Sequence, residues 1–275
     1  MSVYNCLTSQ DRPIHLRTSE AEWNSFLGRV HRLEADPASV EDEGVWTFLV
    51  AYGFAIAGEG DALARVLCKA ELTSSGGDIW LESAPLPPRQ NERNTKVDLA
   101  AGHVRPRGET ISGIEFDPLP SWEKPWALLV ECKWRSDMSV DTTYDPLRGQ
   151  MLRVIENALV LQAESKFPEA VHFTLLTPEI FQRHPRLRGY GLLFHEYSLN
   201  PSLIVDDLKV HQHPVRSGPK GWAYPGLDAR IGCLHLHWVS FEKVFEKMPA
   251  TAFKAELLTL ARRQGTLLNL PASVP

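Results

Sequence analysis

Trp126-Ala127-Leu128-Leu129-Val130-Glu131-Cys132-Lys133-Trp134 is the stretch on which the reading of this chain turns. Pro125 precedes it and the polar Arg135-Ser136-Asp137 follows, and a short apolar run bounded in this way reads as a buried strand. Alternate side chains on a strand share a face. Glu131 and Lys133 therefore project together, while Leu128, Val130 and Cys132 point the other way into packing. Charges are costly to bury unless they are paired or hold a metal, so a strand that keeps two of them inside an apolar run has a use for them. The plainer alternative is an edge strand whose Glu131 and Lys133 sit in water, as most Glu and Lys do.

The bulk numbers permit a sizeable core. The chain has 275 residues, 43% of them hydrophobic and 23% charged, close to globular averages. A net charge of −5 excludes a basic nucleic-acid coat, so any nucleic-acid contact has to come from local basic surface. Cys6, Cys68, Cys132 and Cys233 are far apart, which argues against a structural zinc site and a disulfide scaffold and fits a reducing cytoplasm. The N-terminus lacks the pattern of a signal peptide. The longest apolar run, near Val45 to Gly58, is too short to span a bilayer, so no membrane partner is expected.

Outward from the central strand, the order of elements predicts an α/β fold with a central mixed sheet flanked by helices. Helices are expected over Leu16–Arg32, Glu41–Ala57 and Asp61–Leu72, the last two parted by Gly58 and Gly60. Strands follow at Asp78–Glu82 and Thr95–Ala101, separated by an exposed loop that runs through Arg89 to Asn94, and Ile111–Phe116 forms a hairpin strand. After the central strand, Asp145 as N-cap and Pro146 at the first helical position open a helix that ends near Lys166-Phe167-Pro168. Val171–Leu176 is the next strand, and a strand–helix–strand unit of this kind joins parallel strands. Gly191–Tyr197 is either a strand or a short helix. Ile231–Trp238 is a strand, and Phe241–Lys247 and Ala252–Arg263 are closing helices. The expected organisation is one domain over 1–275, with a helical N-terminal region (1–73), a core (74–177) and a C-terminal extension (178–275).

Asp98 lies in the strand before the central one. If the two strands are neighbours, two carboxylates and an ammonium meet at one point. Hard ions such as Mg²⁺ or Mn²⁺ prefer a few carboxylate oxygens and several waters. Asp98, Glu131 and the Cys132 peptide carbonyl are the candidate metal ligands. Lys133 is placed to orient an attacking water or to stabilise developing charge. Arg183, Arg186 and Arg188 form a basic segment that suits phosphates or is ordinary surface. His211 and His213 alternate, as do His235 and His237, without the acids or cysteines that a zinc site needs. Gly58-Glu59-Gly60 lacks the lysine of a phosphate-binding loop.

Asp98, the Glu131-Cys132-Lys133 triplet, the apolar run before it and the helix after it resemble the PD-(D/E)XK nuclease superfamily, the restriction-endonuclease-like fold. Gln150 and Arg153 match the Q-x-x-R pair that members often carry on the following helix. The resemblance covers about Leu72 to Leu176. It implies a restriction-endonuclease-like core, metal ligands at Asp98 and Glu131, a catalytic Lys133, and auxiliary roles for Gln150 and Arg153. It further implies Mg²⁺-dependent hydrolysis of DNA, in restriction, repair or defence. Members often add a Glu from an early helix, for which Glu41, Glu43 and Glu71 are all candidates. Val97 stands where proline is common, and the long segment before Glu131 leaves Asp117 as an alternative first acid. DNA is the implied partner, and pairing of two copies is left open. The rival readings are the same fold without catalysis, as a nucleic-acid-binding or interaction module, and an unrelated module in which the triplet is a coincidence.

Overall fold

The computed structural model describes residues 2–38, 41–90, 92, 95–109, 112–118, 123–137, 148–210 and 213–271. Along the chain come α1 (Val3–Thr8), β1 (Leu16–Arg17), α2 (Glu20–Ala35), α3 (Glu43–Ala55), α4 (Gly60–Cys68), β2 (Ile79–Ser83), β3 (Val97–Gly102), β4 (Val104–Pro106), β5 (Ile114–Phe116) and β6 (Trp126–Cys132). The second half adds α5 (Gln150–Leu159), β7 (Ala170–Thr177), α6 (Glu179–Arg183), α7 (Gly189–Leu199), α8 (Ser202–Lys209), α9 (Leu227–Arg230), β8 (Leu234–Ser240), α10 (Phe241–Lys247) and α11 (Ala252–Gln264).

Six strands form one mixed sheet in the order β1-β2-β3-β6-β7-β8, and β4 and β5 form a separate hairpin. β3 runs antiparallel to both of its neighbours, whereas β6, β7 and β8 are parallel. β6 is thus an interior strand, and every one of its residues is buried. The edge-strand alternative fails: Glu131 is 1% exposed and Lys133 4%.

Helices cover both faces, and the two-residue period of the strands divides their side chains between them. Leu99, Leu128 and Val130 join the core shared with α1–α4, α10 and α11. Ala100, Ala127, Leu129 and Phe173 join the core of α5, α7 and α8. The helical N-terminal region therefore shares its layer with the two closing helices.

Local chemistry sets the helix starts. Ser19 and Glu22 form a reciprocal capping box at the head of α2, which satisfies two otherwise orphaned backbone donors. Asp42 caps α3 by accepting the Val45 N–H at 3.2 Å, and Arg29 Nε holds its carboxylate at 2.6 Å.

Several expectations need correction. Asp145, Pro146 and His211 lie outside the described residues; the N-cap position of α5 is Gly149. α5 ends at Leu159 rather than near Pro168, because the chain turns there and the Gln162 amide binds Ala223 of a distant segment in both directions, at 2.8 and 3.0 Å. Gly191–Tyr197 is helical, inside α7. The segment from Arg89 is not wholly an exposed loop: the Arg89 guanidinium is buried against Glu156 at 2.8 Å and the Leu208 carbonyl at 3.2 Å. Neither α1 nor β1 was anticipated.

Candidate active site

The site forms where β3 and β6 meet. Leu99 pairs with Val130, and one more step in that antiparallel register sets Asp98 opposite Glu131. Residues directly opposed across antiparallel strands share a face, so both acids point to the α5 side. Asp98 Oδ2 accepts the Cys132 N–H at 2.6 Å, which ties the two strand ends together beyond their ladder. The N–H and C=O of one extended residue point toward the same neighbouring strand, so the Cys132 carbonyl also faces β3.

Lys133 follows the end of β6, and its N–H donates to the Leu176 carbonyl of β7 at 2.9 Å. Its Nζ lies 2.8 Å from Glu131 Oε1 and donates to Glu43 Oε1 at 3.2 Å and to Gln150 Oε1 at 3.1 Å. Of the three early-helix acids, Glu43 is thus the one in contact with Lys133. Its second oxygen accepts the Ser136 hydroxyl at 2.8 Å. Glu41 instead pairs with Arg135 at 2.8 Å, and Glu71 is an exposed partner of Arg65 at 3.9 Å.

A stack of two tryptophans explains why Glu43 is chosen. Trp46, one helical turn after Glu43, lies parallel to Trp134 at 4.3 Å, and Trp134 also meets Phe241 edge-on at 4.9 Å. Such pairs contribute about 0.5–1.5 kcal/mol beyond the area they bury, and this one clamps the head of α3 to the chain just past Lys133.

The electrostatics follow from the crowding of acids. Burial, and next the Glu131 charge, push the Asp98 carboxyl well above the usual carboxylate range, against the pull of the Cys132 N–H. Burial raises Glu131 as well, and outweighs the opposing charges of Lys133 and Arg153. Burial also works against the Lys133 ammonium, yet Glu131 and Glu43 hold its pKa above the ordinary value. Lys133 is therefore charged at neutral pH.

The remaining expected residues divide. Gln150 touches Lys133 directly. Arg153, one turn later on the same face, acts on Glu131 through its charge. Asp117 is at the wrong end of β3: its N–H donates to the His103 carbonyl, just past Gly102, so Asp98 is the acid opposite Glu131. Arg183 is occupied by Glu179 at 2.7 Å. Arg188 lies over the Phe181 ring at 4.8 Å and donates to the Arg135 carbonyl at 3.1 Å, which docks the basic segment onto the loop beyond Lys133. Arg186 is exposed on that segment. His235 and His237 on β8 gather around His172 of β7, with the His172 Nδ1 and His237 Nε2 atoms 3.0 Å apart. Among the described residues no group of three or more His, Cys, Asp or Glu side chains is arranged to hold a metal ion.

Two features escaped the sequence reading. The same register carried outward sets Glu82 of β2 opposite Asp98, between the pairs Leu81–Leu99 and Ser83–Val97. Glu82 itself has φ +48°, a strained left-handed conformation for a non-glycine residue, and its carboxylate turns toward Lys96 at 4.0 Å. Burial raises the pKa of the Tyr190 hydroxyl, and the Arg188 charge, followed by that of Lys133, acts against it. A register count would have found Glu82 once the strand pairing was known, whereas Tyr190 carries no sequence signal.

No family model matches the chain, and neither a curated protein nor a solved structure matches it.

Proposed function

We propose that this chain is a nuclease that hydrolyses phosphodiester bonds of DNA with the help of Mg²⁺ or Mn²⁺. The observation that supports it is an excess of negative charge: Asp98, Glu131 and Glu43 converge on one ammonium, Lys133. The likeness of Asp98, Glu131-Cys132-Lys133 and Gln150-x-x-Arg153 to the PD-(D/E)XK superfamily points the same way.

The donor set fits a hard ion that keeps several waters and takes one or two carboxylates. Asp98 and Glu131 would hold it, with the Cys132 carbonyl as a further oxygen. Apart from the Lys133 ion pair, neither buried oxygen of Glu131 has a hydrogen-bond partner among the described residues. Two carboxylates and a carbonyl suffice for Mg²⁺, so the lack of a three-sidechain cluster is compatible with this reading. When bound, such an ion lowers the pKa of a water and shields the phosphodiester.

The chain's own residues do the rest. Lys133, charged and fixed by Glu43 and Gln150, donates toward the oxygen on which negative charge develops. Glu43 holds Lys133 from the α3 side, and Ser136 fixes Glu43. Arg186 and Arg188 supply cations at the rim for flanking phosphates. Free, widely spaced cysteines suit a reducing cytoplasm, and no helix among the described residues is long and apolar enough to cross a membrane.

The test is cleavage of plasmid and oligonucleotide DNA. We expect Mg²⁺- or Mn²⁺-dependent cutting that falls by about 10²–10⁴ in Lys133→Met, the range of a positioned proton donor or electrostatic group, with the fold retained. The rival reading, a binding module without catalysis, draws on one observation: the three contacts of Lys133 would fix this cluster without any ion. It predicts salt-dependent DNA binding and no cleavage with either metal.

A further inference from the structure

A cavity of about 440 Å³ opens beside the C-terminal end of α5, away from the acids. Sites for small molecules have volumes of roughly 300–1,000 Å³. It is lined by Asn157 of α5, by Arg105 and Arg107 of the β4–β5 hairpin region, and by Lys220 and Trp222 of a third segment.

The wall that carries Trp222 is held in place from several directions. The Gln162 amide clamps Ala223, and the Ser165 hydroxyl donates to the Gly221 carbonyl. Gly218 lies flat against the indole: a Cβ there would come within 2.5 Å of Trp222 Cδ2. The ring orientation is therefore fixed before any ligand arrives, which lowers the ordering cost of binding.

Two residues of the cavity lining each carry a buried polar atom without a hydrogen-bond partner among the described residues, and the two atoms are of opposite type. Asn157 is wholly buried; its Nδ2 donates to the Arg153 carbonyl at 2.8 Å, but its Oδ1 accepts nothing. Arg107 Nε donates to nothing. A buried polar group left unsatisfied is costly, so an unmet acceptor and an unmet donor on one cavity describe the ligand that would satisfy both. Arg105 is paired with Glu115 at 2.8 Å. Arg107 and Lys220 have no ion-pair partner among the described residues. Glu164 is an acid on the same rim.

We propose that this cavity binds a phosphorylated flat heterocycle of mononucleotide size. The ring lies against Trp222, a ring N–H donates to Asn157 Oδ1, and the phosphate accepts from Arg107 Nε and Lys220. Asn157 stands seven residues beyond Gln150, about 10 Å along the helix, so the two sites are distinct. The cavity proposal holds whether or not the acids cleave DNA.

The test is calorimetric titration of the full chain with AMP, GMP, CMP, UMP and inorganic phosphate, without added metal. The expected result is saturable binding of at least one nucleotide, in the wild type and equally in Asp98→Asn. Arg107→Gln and Trp222→Ala should each weaken it at least tenfold, and the exposed Lys220→Ala, which leaves the core untouched, several-fold. The proposal is overturned by no saturable binding of any nucleotide, by affinity unchanged in Trp222→Ala and Lys220→Ala, by phosphate alone binding as well as the nucleotides, or by binding lost in Asp98→Asn.

Discussion

Glu156 in α5 and Glu131 at the end of β6 are both buried carboxylates with cationic neighbours, yet their surroundings differ. Glu156 accepts from Arg89 Nε at 2.8 Å and from the Tyr224 hydroxyl at 2.6 Å, and it also pairs with Arg148, which in turn meets Glu92 at 2.6 Å. Two carboxylates there meet two guanidiniums. At the end of β6, three carboxylates converge on one ammonium, with the Arg153 guanidinium acting on Glu131 through its charge, and two of the three acids have raised pKa values. Burial is common to both clusters; charge balance separates them. A balanced buried cluster needs nothing more, whereas an acid excess is relieved by a proton or by a cation.

The largest expected effect tests the balanced side. Glu156→Ala leaves the buried Arg89 guanidinium without a carboxylate and Arg148 with Glu92 alone, and breaking a buried pair in this way costs about 3–5 kcal/mol. Urea unfolding should show that loss; a change below about 1 kcal/mol would mean that the network is dispensable.

A third cluster sharpens the contrast because it contains no acid. Burial first, then the neighbouring imidazoles, lower His172 to about 3 and His237 to about 4. Their folded pKa values lie below the unfolded value near 6.5. The unfolded chain therefore gains protons first as pH falls, and stability present above about 6.5 is lost toward pH 4. Between pH 7 and 5 this amounts to about 2 kcal/mol for His172 alone, at 1.36 kcal/mol per pKa unit. His172→Phe should flatten that part of the melting profile. An unchanged slope would remove the histidines as its cause.

Asp98→Asn tests the unbalanced side and has the opposite sign to Glu156→Ala. A carboxylate whose folded pKa is raised contributes stability below its unfolded pKa and loses it as pH rises through the folded one. Asn keeps an acceptor for the Cys132 N–H and removes the repelling charge. In chelator at pH 8 the variant should melt a few degrees higher than the wild type, since ~1 kcal/mol shifts a chain of this size by about 2–4 °C. A lower melting temperature would mean that the acids are stabilising as they stand.

How much of this was visible beforehand depended on whether a residue's partner is local or distant. The apolar run around Glu131 announces β6 because its packing pattern is written within nine residues, whereas the helix expected from Leu16 begins only at Glu20, after β1. The α/β fold with its mixed sheet follows from such local signals. Glu43 stayed undecided among three candidates because its selection rests on Trp46 meeting Trp134, a contact between distant segments. The Arg89–Glu156 network went unseen because prolines and polar residues around Arg89 look like an exposed loop, and only the folded chain brings Glu156 to it. α5 was overextended because apolar periodicity continues past Leu159, while Gln162 is taken up by Ala223.

The smallest effect concerns the rim. Arg186→Ala should reduce the salt dependence of DNA binding by about one unit of log–log slope, the share of a single phosphate contact. Arg183→Ala, already neutralised by Glu179, should leave the slope nearly unchanged. Equal effects of the two would contradict the assignment of Arg186 to the phosphate side.

Direct Mn²⁺ binding, followed by electron paramagnetic resonance in the absence of DNA, tests the claim that the acid excess at the end of β6 gathers a divalent ion. We expect one saturable ion per chain in the wild type and in Glu156→Gln, and its loss in Asp98→Asn and in Glu131→Gln. Binding of equal strength in all four proteins, or none in the wild type, would contradict it.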